Sequence, residues 1–121
     1  MNKFIFLSFI FLFNSLLASE RVVLLHGLAR TSSSMSSLEG FLKKEGFSVS
    51  NLDYPSRKNE IQLLSSIVRN QIEKLSIRHK TLHVVTHSMG GIIIRYIQKT
   101  APIENLGRVV MLSPPNNGSE V

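Results

Sequence analysis

The 121-residue sequence contains no cysteine, which excludes a disulfide scaffold, a thiolate zinc site and a cysteine nucleophile. Packing and hydrogen bonds alone must hold the fold. Aspartate occurs once, as Asp53, so a catalytic acid has few candidates. Beyond residue 18 the only aromatic residues are Phe41, Phe47, Tyr54 and Tyr96. No repeat, low-complexity tract or linker interrupts the chain, and its length allows one small domain. The formal net charge is +6, yet no basic run exceeds the pairs Lys43-Lys44 and Arg57-Lys58. Scattered cations of this kind indicate a solvated surface rather than a nucleic-acid site, with contact to an anionic membrane surface left open.

One long apolar stretch is present, and it lies at the N-terminus. A single charge, Lys3, precedes an apolar run over residues 4–13 that resumes at Leu16 and ends on the small Ala18. A basic start, an apolar centre and a small residue at the cut describe a secretory signal peptide over residues 1–18. The run is short of the ~20 residues that span a bilayer, although an uncleaved anchor remains the alternative. The expectation is export, to the periplasm or the medium, of a domain over residues 19–121.

Four short runs read as strands, at residues 22–25, 47–52, 82–86 and 109–112. Three of them, RVVLLHG, TLHVVTHS and GRVVMLSPP, are rich in Val and Leu without polar alternation, as in a parallel sheet covered on both faces. Helices are expected between them. The first follows the hydroxyl cluster Thr31–Ser34, which offers N-caps, and sets Met35, Leu38, Phe41 and Leu42 on one stripe before Gly46 ends it. The second carries Ile61, Leu64, Ile67, Val68, Ile72 and Leu75 at three- and four-residue steps. The third, from Met89 to Lys99, is apolar enough to be largely buried. Strand and helix in strict alternation give an α/β fold, a three-layer α/β/α sandwich with a mostly parallel sheet.

The sharpest chemical signal is Val84-Val85-Thr86-His87-Ser88-Met89-Gly90-Gly91, at a strand end that opens a helix. A serine on such a turn presents its hydroxyl above the sheet edge, and the crowded backbone demands small residues two positions to either side. Gly90 meets that demand, whereas Thr86 stands where the G-x-S-x-G pattern has glycine. The helix that follows aims its N-terminal N–H groups at the serine, which favours a negatively charged intermediate. The second signal is Leu24-Leu25-His26-Gly27-Leu28, also at a strand end. Gly27 lets this loop approach a substrate, and the backbone N–H groups of Leu28 and Met89 are the candidate oxyanion donors.

HGLAR, DYPSR, THSMGG and MLSPPNNGS, in that order, resemble the α/β-hydrolases of the bacterial lipase and esterase type. The resemblance runs from Val22 to Ser119. It implies part of an α/β-hydrolase fold, Ser88 as nucleophile, Leu28 and Met89 as oxyanion hole, and His26, Gly27 and Gly90 in support. It implies neither cofactor nor metal, and a small-molecule or lipid ester as substrate. The loop 114–119 matches the one that borders the site in lipases.

In that fold the triad follows the order serine, acid, histidine. The four histidines here are His26, His79, His83 and His87, and none follows Ser88. His87 is expected to pack beside the turn, His26 to brace the oxyanion loop, His83 to sit in the core or at a sheet edge, and His79 to be solvated. Asp53 is expected to pair with Arg30 or Arg57, leaving Glu120 as the acid in range. The expectation is therefore the N-terminal, truncated part of an exported serine acyl hydrolase, for carboxylic or thio esters, inactive by itself. The alternative is a non-catalytic fragment or acyl-binding protein of the same fold.

Overall fold

The computed structural model describes residues 20–118. The leader, with its proposed cut at Ala18, and Glu120 lie outside the described residues. Four strands alternate with helices: β1 (Glu20–Leu25), a 3-10 turn (Ser32–Met35) leading into α1 (Ser36–Lys44), β2 (Ser48–Leu52), α2 (Ile61–Ser76), β3 (Thr81–His87), α3 (Met89–Thr100) and β4 (Leu106–Leu112). The sheet runs β2-β1-β3-β4, and every pairing is parallel. Among the described residues no helix is long and apolar enough to cross a membrane.

Side-chain alternation sorts the strand residues between two cores. On one face Val23, Leu25, Leu82 and Val84 meet Leu64, Val68 and Ile72 of α2 and Ile93, Ile94 and Ile97 of α3. Each fully buried Leu or Ile there contributes roughly 1.5–3 kcal/mol. On the other face Val22, Leu24 and Val49 pack with Met35, flanked by Leu38 and Leu42 of α1. The result is the expected α/β/α layering, and α3 is the buried helix its composition foretold.

Several local expectations need correction. Only β1 is buried on both faces; β3 alternates buried with half-buried residues, and β4 leaves Val110 and Leu112 exposed. The reason is coverage, because α1 packs over β1 and β2 and no described helix covers the outer face of β4. Phe41 is 58% exposed, since 100° per residue swings it to the flank of the Leu38–Leu42 stripe. The hydroxyls of residues 31–34 cap no helix N–H. Thr31 Oγ1 bonds Ser33 Oγ and Ser34 Oγ bonds the Thr31 carbonyl, closing a 3-10 turn instead. The stop at Gly46 is as expected: with φ of 95°, its N–H bonds the Lys43 carbonyl while Phe47 N–H bonds the Leu42 carbonyl. These two bonds form a Schellman motif.

Candidate active site

Ser88 stands between the last residue of β3 and the first of α3, with φ 51° and ψ −118°. A non-glycine residue holds such a backbone only where its surroundings impose it, at a cost of about 1–3 kcal/mol. Here the Ser88 N–H donates to the Leu112 carbonyl at the end of β4, 2.9 Å away, and the Ser88 carbonyl accepts from Gly91 N–H at 3.0 Å. Strand β4 and helix α3 thus grip the turn from both sides. Gly90 lets the helix seat itself on β1, for a Cβ at that position would lie 2.7 Å from the Leu25 carbonyl oxygen. Thr86, two residues before the serine, is fully buried beneath the turn, and its hydroxyl has no hydrogen-bond partner among the described residues.

The strand end of β1 carries the opposing wall. Gly27 and Arg30 close a turn through Arg30 N–H to the Gly27 carbonyl at 3.3 Å, with Ala29 at φ 59° in the left-handed region. This turn abuts the serine. A Cβ on Gly27 would fall 3.2 Å from Ser88 Cβ and 3.1 Å from His87 Nδ1, tighter than side chains normally pack. Within the turn, the Leu28 N–H has no backbone acceptor among the described residues. The Met89 N–H belongs to the first turn of α3, where helical N–H groups lack intrahelical acceptors. Two strand ends therefore bring Ser88, Leu28 and Met89 to one edge of the sheet.

Sequence reasoning expected His26 behind that turn and missed the Asp53-Tyr54 part of the brace. His26 is fully buried. Its Nδ1 lies 2.9 Å from the Gly27 carbonyl, so that nitrogen carries a proton. Nε2 accepts the Tyr54 N–H at 3.4 Å, which leaves the ring neutral, and the Asp53 carboxylate lies alongside, Oδ1 3.3 Å from Nε2. The imidazole stacks on Tyr54, ring centroids 4.1 Å apart, and the Tyr54 hydroxyl donates to the His26 carbonyl. Burial pushes the Tyr54 pKa up from its ordinary value, so the phenol stays a donor. Asp53 accepts Ser32 N–H at 3.1 Å, so the carboxylate holds the far end of the turn-bearing loop. This corrects the expected partners of Asp53: its carboxylate sits beside His26 and accepts Ser32 N–H, and among the described residues neither Arg30 nor Arg57 pairs with it. The loop after β2 was therefore a part of the site. Its signal was present in Asp53-Tyr54 following a strand, level with His26-Gly27 on the neighbouring one.

The other histidines are spoken for. His79 is half-buried rather than solvated, accepting Arg21 Nε at 2.8 Å, and it precedes β3 at the end of the strand away from Ser88. His83 Nδ1 accepts Arg108 N–H at 3.0 Å along the β3–β4 edge, as expected of a sheet histidine. His87 packs beside the turn against Gly27. The loop after β4 lies against α3, with Arg95 bonded to Asn116 and Pro114 facing Gly91. Among the described residues no group of three His, Cys, Asp or Glu could hold a metal ion.

Comparisons with known proteins fit this arrangement. No curated protein matches the sequence. Among solved structures the fold is similar to an extracellular α/β-hydrolase from a Paenibacillus species, with a TM-score of 0.67, 23% identity, and coverage of 78% of this chain and 40% of that one. It is similar to an esterase from Exiguobacterium antarcticum, with a TM-score of 0.71, 19% identity, and coverage of 82% and 39%. It is also similar to the phospholipase PlaB from Legionella pneumophila, with a TM-score of 0.63, 20% identity, and coverage of 83% and 26%. The architecture is thus part of an α/β-hydrolase fold, and the chain spans about 40% or less of the length of these proteins. The model of the palmitoyl protein thioesterase family matches residues 21–121. A serine turn at the end of β3, a glycine turn at the end of β1 and a family match over nearly all of the chain lead to one conclusion: the chain belongs to the palmitoyl protein thioesterase family.

Proposed function

We propose that this site performs acyl transfer on a carboxylic ester or thioester with a lipid-like acyl chain. Ser88 Oγ adds to the substrate carbonyl and gives its proton to a general base. The tetrahedral oxyanion rests on the N–H groups of Leu28 and Met89. The carbonyl then reforms, the bond to the alcohol or thiol breaks, and the leaving group takes up a proton. Water cleaves the acyl-serine by the same steps. The observation that carries this reading is the strained φ of 51° at Ser88 directly against the Gly27 turn. Strain of that kind is kept where it aims a side chain. The hydrolase-fold neighbours and the family match support the reaction class.

Among the described residues no histidine is placed to serve as that base, His87 being the turn's own neighbour on β3, where adjacent side chains diverge. His26 is buried with both nitrogens engaged, His83 and His79 serve strand contacts, and no histidine follows Ser88. Loss of a triad histidine leaves only what the oxyanion hole and binding provide. The triad histidine is therefore sought outside this sequence, and the chain alone is assigned no hydrolysis above that of Ser88→Ala. Ester turnover by the 121-residue chain, compared with its Ser88→Ala form, tests this. Equal rates are expected, and a clear excess for wild type would show that a base is present after all. The signal peptide and export remain part of the proposal, tested by N-terminal sequencing of the exported product for a start at residue 19.

A further inference from the structure

A cavity of about 520 Å³ opens on the far side of the Gly27–Arg30 turn from Ser88, between that turn and the loop after β2. Its walls are Ala29, Tyr54 and Pro55 with the three cations Arg30, Arg57 and Lys58. Asp53 is the one acid in the lining, and its carboxylate, though largely exposed, accepts the Ser32 N–H. The three cations form no ion pair among the described residues. A cleft that gathers three cations outside any ion pair among the described residues, against a single carboxylate, carries a net positive local potential.

The walls are also fixed. Ser56, 5% exposed, donates from its hydroxyl to the Arg30 carbonyl at 3.2 Å, tying one loop to the other. Lys58 N–H bonds the Pro55 carbonyl, and Gln71 of α2 holds the Asp53 carbonyl. The backbone that presents the cations is thus arranged before any ligand arrives, which lowers the ordering cost of binding. Two guanidinium groups and an ammonium suit a tetrahedral anion with several acceptor oxygens, because the planar fork of Arg engages two such oxygens at once.

We propose that this cleft binds a phosphate group, carried by the substrate on the side of its ester away from Ser88. Only the link to the substrate rests on Ser88 as nucleophile; the anion site itself does not. The prediction for specificity is an ester whose non-acyl part bears a phosphate, either on a soluble molecule or in a lipid headgroup.

The test follows backbone amide shifts of the chain, and of its Ser88→Ala form, during titration with inorganic phosphate and with glycerol 3-phosphate against matched chloride. Shifts are expected to concentrate on Ala29, Arg30 and Tyr54 to Lys58, equally in both forms. Removing one exposed cation weakens such an interaction about two- to fivefold, so Arg30→Gln with Arg57→Gln lowers affinity about tenfold. Arg57→Lys retains most of it, and Lys44→Gln with Lys99→Gln, at exposed helix positions outside the cleft, changes nothing. Cosedimentation with phosphatidylglycerol–phosphatidylcholine vesicles, displaced by glycerol 3-phosphate, identifies a lipid headgroup as the source; phosphate binding without vesicle binding identifies a soluble phosphate ester. Shifts no larger than those with chloride, or unchanged affinity in the double Gln variant, would overturn the proposal. Because no turnover is needed, phosphate binding kept while the protein completed with its triad histidine takes no fluorophosphonate adduct on Ser88 rejects only the serine reading, and an adduct on Ser88 without phosphate binding rejects only the anion site.

Discussion

Replacing Gly90 by alanine probes how closely α3 must approach β1 for the serine turn to form. The new Cβ would sit 2.7 Å from the Leu25 carbonyl oxygen, 3.1 Å from Leu25 Cβ and 3.2 Å from the His26 carbonyl oxygen. Two of these three atoms are backbone at and just past the end of β1 and the third is a Cβ, so no rotamer change relieves the clash. Overpacking of this kind costs about 1–3 kcal/mol, while alanine recovers up to ~1 kcal/mol of helix propensity over glycine. The net expectation is a loss of about 1–2 kcal/mol, read in thermal unfolding as a Tm lowered by roughly 5–15 °C for a domain of this size. Gly40 is the internal reference. It lies in α1 with no atom within 4 Å of a prospective Cβ, so Gly40→Ala gains about 0.5–1 kcal/mol. The same substitution in two helices of one chain thus has opposite signs. A Gly90→Ala protein as stable as wild type would refute the close seating of α3 on β1 and with it the geometry assigned to Ser88.

Further expectations follow from the same contacts. Ser88→Gly relieves the φ of 51° and raises stability by about 1 kcal/mol in denaturant unfolding, while abolishing acylation. Tyr54→Phe removes the hydroxyl that satisfies the His26 carbonyl and costs about 1–3 kcal/mol, measured by the urea midpoint. Because the Tyr54 pKa is raised by burial above its ordinary 10.0, the unfolded chain releases this proton first as pH rises. Stability is therefore intact below about pH 10 and falls above it, and Tyr54→Phe flattens that alkaline limb. Asp53→Ala frees the Ser32 N–H that the carboxylate anchors and removes the group packed beside His26 Nε2. In the protein with its triad complete it lowers kcat more than it raises KM.

The layering and the serine turn were legible because their signals are local. Val-rich runs, three- and four-residue steps in α2, and Ser88-Met89-Gly90 at a strand end all follow from chain geometry over a few residues. Gly46 was legible for the same reason, since a left-handed stop needs only its own backbone. The full brace was not. His26, Asp53 and Tyr54 meet because β1 and β2 lie side by side in register, Leu25 opposite Leu52, a fact of sheet order rather than of any short motif. The extent of β4 was hidden too. The strand was expected to start at Val109, yet the His83 ring fills the space where a Gly107 side chain would stand and takes the Arg108 N–H, extending the strand to Leu106. The exposure of Phe41, Val110 and Leu112 depends on which helix covers which strand, which periodicity does not state.

The central claim is that Ser88 is the acyl-accepting nucleophile. Its most direct test is mass-spectrometric mapping of a fluorophosphonate adduct on the protein in which these 121 residues are followed by the triad histidine. A single adduct on Ser88, lost in Ser88→Ala, is the predicted result; an unlabelled protein, or an adduct on any other serine, would contradict the account.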